Sequence, residues 1–286
     1  MSEGPGIHFP MRYGVILPGG PAGEQVAQAV LAEQAGWDAV FVWEAAYGVD
    51  AWSLLAAMAM ATSRVRLGTM LTPLPWRRPW TVASQVATLD QLSAGRSILT
   101  VGLGAIETDL PDTGEVVDRR GRALRLDEGI DLIRALWSGS TSFHGDFYDF
   151  SCARSDLSEA VRPVQARIPI WVVARWPRPR SLRRALRCDG VVPEFDGEGG
   201  PDGVREMRAW LAQQGMPAGY AVIAEGETPS SDRAAAAGIV APWVDAGATW
   251  WLESRWEMPH HTAERMTEIR TRIAAGPPGG AMTANH

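Results

Sequence analysis

The chain has 286 residues, of which 46% are hydrophobic and 21% are charged, and its formal net charge at pH 7 is -6. This composition is typical of a globular domain with a sizeable core, and the negative balance argues against a nucleic-acid partner. No apolar stretch approaches the roughly 18 residues of a membrane span, and the first residues do not resemble a secretory leader, so we expect a cytoplasmic protein.

The residue inventory also excludes several chemistries. All 27 basic residues are arginines, which removes Schiff-base and P-loop mechanisms because both need a lysine amine. The two cysteines, Cys152 and Cys188, indicate reduced thiols rather than a disulfide framework. The sequence lacks the His-Glu-x-x-His, Cys-x-x-Cys and Gly-x-Ser-x-Gly patterns, so it predicts neither a metal site nor a serine hydrolase.

Apolar runs and helical stripes alternate along the chain. The run at 39–43 (AVFVW) is typical of a strand covered on both faces, and Val82, Val86 and Leu89 recur at helical spacing. A small hairpin is predicted at 143–150. The predicted strands are 12–17, 39–43, 65–71, 97–101, 168–174, 190–193, 221–225 and 249–253. The predicted helices are 21–35, 51–62, 82–89, 126–137, one beginning near 181, 204–213, one ending at 240, and 263–274.

Eight strand–helix units in about 265 residues have the number and size expected of a single (β/α)8 TIM barrel. The alternative is a doubly wound open sheet, which usually carries a glycine-rich first turn; Pro18-Gly19-Gly20 does not match that fingerprint. We therefore predict an N-terminal extension at 1–10, a barrel domain at 11–275 and a flexible tail at 276–286.

Four glutamates fall at the ends of predicted strands, where a barrel places its active site. They are Glu44, Glu194, Glu225 and Glu253. One hypothesis is a carboxylate-rimmed pocket in which one glutamate with a raised pKa acts as acid or base. The alternative is that these glutamates form ion pairs with Arg175 and Arg255 and orient loops.

Three further groups are candidates for ligand contact. Trp43 ends the second strand and offers an apolar wall for a flat ring, although a barrel tryptophan is often part of the core. Arg175 and Ser181 flank the start of a helix, which suits an anion. His260 and His261 follow the last strand; they lack a third metal ligand, but either histidine is a candidate for proton transfer.

Ten segments together resemble one family, and the block from the third strand into the following helix is the most specific of them. The segments are AEQAGWD (32–38), RVRLGTMLTPLP (64–75), RPW (78–80), ATLD (87–90), LSAGR (92–96), VGLG (101–104), RPVQ (162–165), IPIWV (168–172), CDGV (188–191) and AGATWWLE (246–253). Over residues 11 to about 275 the chain resembles the luciferase-like flavin-dependent oxidoreductases.

This resemblance implies a (β/α)8 barrel that holds FMN or coenzyme F420, a deazaflavin, at the carboxyl ends of its strands. It implies hydride transfer, or monooxygenation with reduced flavin and O2, on a small organic substrate, and it makes a homodimer a further expectation. It also implies a cis peptide bond between Met70 and Leu71. The candidate cofactor-binding residues are Trp43, Glu44, Met70, Leu71, Thr72, Gly102, Gly104, Val173, Ala174, Arg175 and Ser181.

Two departures from the family pattern concern the site itself. Many members carry Asp-His after the second strand, where this chain has Glu44-Ala45, so the most obvious proton-transfer residue is missing. Close relatives often carry Gly-Gly where this chain has Val173-Ala174, which affects the contact with the cofactor phosphate. Two alternatives therefore stay open: a cofactor-free barrel that performs lyase or isomerase chemistry with its rim glutamates, and a flavin-binding scaffold without turnover.

Overall fold

The computed structural model describes residues 11–45, 47–105, 118–197, 199–255 and 263–279. Its strands are β1 (Arg12–Ile16), β2 (Ala39–Val42), β3 (Arg66–Thr69), β4 (Thr72–Pro73), β5 (Ser97–Gly102), β6 (Ser142–His144), β7 (Asp149–Ser151), β8 (Ile170–Trp176), β9 (Gly190–Phe195), β10 (Ala221–Gly226) and β11 (Trp250–Glu253). Its helices are α1 (Ala22–Gln34), α2 (Ala51–Ala61), α3 (Pro79–Leu92), α4 (Arg119–Trp137), α5 (Ser155–Ala160), α6 (Pro179–Leu186), α7 (Pro201–Gln213), α8 (Arg233–Asp245) and α9 (Ala263–Ala274).

The long sheet closes on itself. Its strands follow the order β3-β2-β1-β11-β10-β9-β8-β5-β4, and β3 also pairs with β5, so the first and last parts of the sheet meet. Every pairing in this sheet is parallel. Strands β3 and β4 follow each other directly and both pair with β5, so they form one interrupted barrel strand; a helix lies between the other successive barrel strands. The prediction of a (β/α)8 barrel is confirmed, and the open doubly wound sheet is excluded because an open sheet has two unpaired edges.

Side chains from alternate positions of the strands fill the barrel. Trp171 and Trp250 meet on the axis with ring centroids 5.1 Å apart, and Phe41 lies 5.4 Å from Trp171. Outside the strands a larger apolar layer packs the helices against the barrel. Because both faces of each strand are covered, the strands have the continuous apolar runs seen in the sequence.

Local signals place the helix starts. Asp50 accepts a hydrogen bond from the Ser53 amide at 2.8 Å and begins α2, and Asp118 does the same for Gly121 at the start of α4. The predicted hairpin is also confirmed, since β6 and β7 pair antiparallel. Its turn is held by Glu128 of α4, whose carboxylate accepts from three consecutive turn amides, residues 146–148.

Several predicted boundaries were wrong. The third strand, expected over 65–71, ends at Thr69 and is followed by β4, and the helix expected over 126–137 begins at Arg119. The strand expected at 168–174 is shifted to Ile170–Trp176, and β9 runs two residues further than predicted. Helix α8 continues past 240 to Asp245, because Pro242 is accommodated within its last turn and its carbonyl still accepts from the Ala246 amide at 3.0 Å. In β8 and β9 the apolar run ends at a charged residue, whereas backbone hydrogen bonding continues.

The start of the predicted tail packs against the barrel domain. Residues 276–278 are buried, and the Gly276 carbonyl accepts a hydrogen bond from Arg272 at 2.8 Å. Residues 1–10 and 280–286 lie outside the described ranges, so the division into extension, barrel and tail stays a prediction. Among the described helices, none combines the length and apolar character that crossing a membrane requires.

Candidate functional site at the carboxyl end of the barrel

Strand β8 shows which side chains face the mouth of the barrel. Trp171 lies in the barrel interior, and side chains alternate along a strand, so Val173 and Arg175 face the same side as Trp171. Ala174 points the other way, into the layer between strands and helices, and is 1% exposed. The prediction that the strand ends at Val173-Ala174 was wrong; both residues lie within β8, and only Val173 faces the mouth.

A row of charged side chains crosses the mouth on three neighbouring strands. The register pairs Arg175 of β8 with Glu194 of β9. Strand β10 pairs with β9 at its start, and Glu225 follows Ala221 and Ile223 on the face of β10 that lines the barrel interior. Glu194 and Glu225 are both exposed, as expected for side chains at an open barrel end. We call Arg175, Glu194 and Glu225 the mouth row.

Glu44 has a different environment from the mouth row. Its carboxylate is 6% exposed and forms an ion pair with Arg77. The second carboxylate oxygen accepts hydrogen bonds from the Thr72 hydroxyl at 2.7 Å and from the Trp52 indole at 3.2 Å. Glu44 thus joins the ends of β2 and β4 to α2, which makes it a positioning residue in this structure. Its predicted contact with a cofactor stays a prediction.

The break between β3 and β4 carries the expected backbone feature. The Met70–Leu71 peptide is cis, as the resemblance implied. On either side of it, the Thr69 and Thr72 hydroxyls lie 2.9 Å apart, and the Met70 amide donates to the Val42 carbonyl at 2.7 Å. Met70 therefore lies inside the barrel, while Leu71 is half-buried at the mouth.

Leu71, Gly102 and Val173 form a continuous apolar surface at the carboxyl end. A Cβ atom added to Gly102 would lie 2.9 Å from Leu71 Cδ2 and 3.4 Å from Val173 Cβ, so the three residues are in close contact. We call these three residues the floor. A flat heterocyclic cofactor needs an apolar surface below the ring and polar groups at its edge. The floor and the mouth row supply both, so the residues present fit such a group.

A buried arginine that the sequence interpretation missed supports the end of β5. Arg122 of α4 is 3% exposed, lies 4.8 Å above the Trp76 ring and donates to the Ala105 carbonyl at 3.1 Å. Gly104 has φ +79°, and a Cβ there would lie 2.9 Å from Pro73, so glycine is required. Arg122 extends the α4 stripe that continues to 126, 130, 133 and 137, and this spacing was the available signal.

The predicted phosphate-binding residues are already engaged with protein groups. The Arg175 guanidinium forms an ion pair with Asp196, which also pairs with Arg178 at 2.6 Å. The Arg175 amide donates to the Ser181 hydroxyl at 3.1 Å, so Ser181 ties β8 to the first turn of α6. Two guanidinium groups share one carboxylate here, which leaves the cluster with net positive charge.

Glu253 has a structural role. Its carboxylate is 2% exposed, accepts from the Thr228 amide at 2.8 Å and hydroxyl at 2.6 Å, and pairs with Arg272 at 3.3 Å. Leu252 occupies the barrel interior, so Glu253 must face the outer layer. The hypothesis of ion pairing therefore holds for this glutamate, whose side chain is absent from the mouth.

Two predicted candidates fall outside the described residues. His260 and His261 lie in the range 256–262, which the structure does not describe, so their role in proton transfer stays a prediction. Within the described ranges, no group of three or more His, Cys, Asp or Glu side chains is arranged to hold a metal ion.

A closed parallel barrel with glycines, an apolar floor and charged side chains gathered at its carboxyl end belongs to the class of (β/α)8 barrels. A sequence model described as luciferase-like monooxygenase matches residues 7–284. The chain therefore belongs to the luciferase-like monooxygenase family, as the resemblance indicated.

Individual relatives agree with this assignment. An F420-dependent glucose-6-phosphate dehydrogenase of Amycolatopsis mediterranei is 37% identical over 163 residues, which are 53% of this chain and 47% of the relative. The match thus spans about half the length of that relative.

Solved structures show the same fold at lower identity. A monooxygenase from Streptomyces bottropensis superposes with a TM-score of 0.69 at 20% identity, covering 93% of this chain and 98% of the other. The coenzyme F420-dependent tetrahydromethanopterin reductase from Methanopyrus kandleri gives 0.68 at 17% identity, again over 93% and 98%.

Proposed function

We propose that this chain is an oxidoreductase that binds coenzyme F420 or FMN at the carboxyl end of the barrel and acts on a small organic substrate. Of the two reactions that the family implies, we propose hydride transfer, since the relative matched at 37% identity is named as an F420-dependent dehydrogenase. When bound, such a cofactor supplies the hydride-carrying ring. The observation that carries the proposal is the floor of Leu71, Gly102 and Val173.

The floor explains how the chain holds a ring. Leu71 and Val173 are half-buried and Gly102 is buried, so a planar ligand placed on them covers apolar surface without displacing a side chain. Below the floor, the buried Thr100 hydroxyl has no hydrogen-bond partner among the described residues. The polar edge of a ligand then meets the mouth row.

The phosphate end of the cofactor is assigned to the Arg175 cluster. The first turn of α6 presents backbone amides without helical partners, and Arg175 and Arg178 lie beside it. Asp196 competes with the phosphate for both guanidinium groups, and Val173 carries a side chain where relatives have glycine. We therefore expect loose cofactor binding and a protein that purifies largely colourless.

Proton transfer is assigned to the mouth row rather than to Glu44. Glu44 is buried and paired with Arg77, so its carboxylate is poorly placed to exchange protons with a substrate. Glu194 faces the mouth from β9 and is exposed. It can reach a substrate that lies over the floor. Glu194 would then take the role of the histidine that many family members carry where this chain has Ala45.

The experiment that tests the function is a titration of the purified chain with F420 and with FMN, followed by absorbance and fluorescence. We expect saturable binding of at least one of them, and substrate-dependent oxidation or reduction of the bound cofactor. Binding of neither cofactor would refute the proposal. Turnover of substrate without any cofactor would instead support the acid/base alternative.

A matched pair of variants tests the floor itself. Val173→Gly removes the side chain that faces the mouth, so we expect cofactor affinity to change. Ala174→Gly alters the neighbouring residue, whose Cβ points into the outer layer, so we expect its cofactor affinity to match that of the unmodified chain. Equal effects of the two changes would place the cofactor away from β8.

A further inference from the structure

A second polar cavity lies at the opposite, amino-terminal end of the barrel. Its volume is about 360 Å³, and its lining includes the first residues of β1, β3 and β11, which are Arg12, Arg66 and Trp250. Arg64, Glu33 and Asp38 complete its charged groups. Residues at this end of a TIM barrel usually serve stability. The partners of these charged groups show whether a structural role explains all of them.

The two carboxylates of the cavity are occupied by backbone donors. Glu33 accepts from the amides of Ser63 at 2.9 Å, Arg64 at 2.5 Å and Val65 at 3.0 Å. Asp38 accepts from the Tyr13 amide at 2.7 Å. These bonds hold the loops before β2 and β3. Neither carboxylate forms an ion pair within 4 Å with an arginine of the cavity in the described part of the chain.

The positive charges of Arg12 and Arg66 are only partly compensated. Arg66 donates to two neutral oxygens, the Ser97 carbonyl at 3.2 Å and the Gln165 amide oxygen at 2.9 Å, and its Nε has no acceptor among the described residues. Arg12 stacks on the Trp250 ring, 5.6 Å from the centroid, and forms no ion pair with a described carboxylate. Burial, and then the positive charge of Arg12, lower the pKa of Arg66.

We propose that this cavity binds a small oxyanion, with a phosphate group as the reference chemistry, between Arg12 and Arg66. Asp38 acts on Arg12 and Asp90 acts on Arg66, but the pKa of Arg66 is still lowered by burial and by Arg12. An oxyanion between the two arginines would remove their remaining repulsion. Guanidinium groups match the geometry of phosphate oxygens and donate two parallel hydrogen bonds to them. Trp250 keeps Arg12 oriented toward the cavity and provides its apolar wall.

This site is separate from the proposed cofactor site. Arg12 and Arg66 begin their strands, whereas Arg175 and Ser181 lie at the carboxyl end of β8 and in the helix after it. The packed barrel interior, including Trp171, lies between the two ends. Binding at the amino-terminal end therefore does not depend on the proposed function.

The test is isothermal titration of the full chain with inorganic phosphate at constant ionic strength and neutral pH. We expect a saturable site that depends on Arg12, and we expect Arg12→Gln to weaken phosphate binding there by about tenfold or more, since a hydrogen-bonded charge is lost. Arg12→Lys keeps the charge but loses the planar fork, so its affinity should fall in between. The Arg12 side chain donates no hydrogen bond to a described residue, and the substitutions keep its backbone bond to the Thr249 carbonyl, so the variants should keep the unfolding temperature of the parent.

Two control variants distinguish the possible outcomes. Arg183→Gln changes an exposed arginine of α6 and should leave phosphate affinity unchanged. Arg175→Gln should remove only phosphate that binds at the proposed cofactor site. Loss of binding in Arg175→Gln with none in Arg12→Gln would place the anion at the cofactor site and overturn the inference. Absence of a saturable signal, or equal phosphate affinity in all variants, would mean that phosphate binds nonspecifically. Either result would also overturn the inference. If Arg12→Gln fails to fold, Arg66→Lys carries the same test.

Discussion

The two ends of the barrel use charged side chains in opposite ways. At the amino-terminal end, Arg96 donates to the carbonyls of Ala59, Thr62 and Val65, which ties the loop after α2 to β5. Asp90 at this end is fully buried and accepts four hydrogen bonds. At the carboxyl end, Glu194 and Glu225 of the mouth row are exposed to solvent.

The charges of Arg96 and Asp90 stabilise the fold, whereas the charges of the mouth row lie where a ligand can reach them. Arg96 and Asp90 of the amino-terminal end hold backbone groups that would otherwise be buried without partners, so their loss should unfold the chain. Glu194 of the mouth row is exposed, so its loss should alter binding and leave the fold intact. Glu44 and Glu253 depart from this division, because they are buried near the carboxyl end and hold neighbouring elements together.

The largest expected effect tests the amino-terminal end. Asp90→Ala leaves donors of Ser97, Val164 and Gln165 without an acceptor in the core, so we expect a loss of about 3–5 kcal/mol in the free energy of unfolding. Urea denaturation measures it. Glu194→Ala in the mouth row is the matched change and should stay within about 0.5 kcal/mol of the parent. Similar losses in both would erase the contrast between the ends.

The second prediction concerns the phosphate end of the cofactor. Arg175→Ala should weaken binding of FMN or F420 by about 1.5–3 kcal/mol, the range for hydrogen bonds to charged groups. Fluorescence titration measures the change. Riboflavin lacks the phosphate, so its binding should barely respond. Equal losses for FMN and riboflavin would place the phosphate elsewhere.

Glu44 tests whether a buried carboxylate near the mouth acts on the ligand. Glu44→Gln removes the charge that faces Arg77 and weakens the bonds from Thr72 and Trp52. We expect cofactor binding or turnover to fall by about 1–3 kcal/mol, because the ends of β2 and β4 are no longer held together. Cofactor affinity, turnover rate and stability to urea are measured on the same variant. Unchanged affinity and rate would show that Glu44 has a structural role only.

A pH series tests a buried group of the amino-terminal end. Burial raises the pKa of the Cys188 thiol, just before β9, from 9.0 to about 11. Above pH 9 the unfolded thiol loses its proton while the folded thiol keeps it, so stability falls as pH rises toward 11. The slope should be at most about 1.4 kcal/mol per pH unit. The stability difference between the parent and Cys188→Ala should therefore shift by this amount in alkali; a constant difference would contradict the prediction.

The smallest expected effect has the opposite sign. Asp196→Asn releases Arg175 and Arg178 from their shared carboxylate. We expect binding of a phosphate-bearing cofactor to tighten by about 0.5–1 kcal/mol, since the competing ion pair is partly exposed and therefore weak. Weaker binding in this variant would mean that Asp196 orients the arginines instead of competing for them.

Part of the site could be anticipated from the sequence. Strand ends mark the mouth of a barrel, so Trp43, Glu44, Gly102 and Arg175 could all be assigned to that end before the fold was known. The direction of Glu253 was also accessible, since alternation from Leu252 places it on the outer face. The strand limits of β8 were not, because apolar patterning stops at 174 while the hydrogen-bonded ladder continues to Trp176.

The sequence by itself determined the class of fold, because alternating apolar periods of strand and helix are local properties of the chain that eight repeats make unambiguous. It also determined the cis bond between Met70 and Leu71 through the family resemblance. Only the tertiary structure decided which charges are paired. The contacts of Arg122 with Ala105, and of Arg12 with Trp250, join segments far apart in sequence. A single chain carries no signal for such partners, since they meet only when the barrel closes.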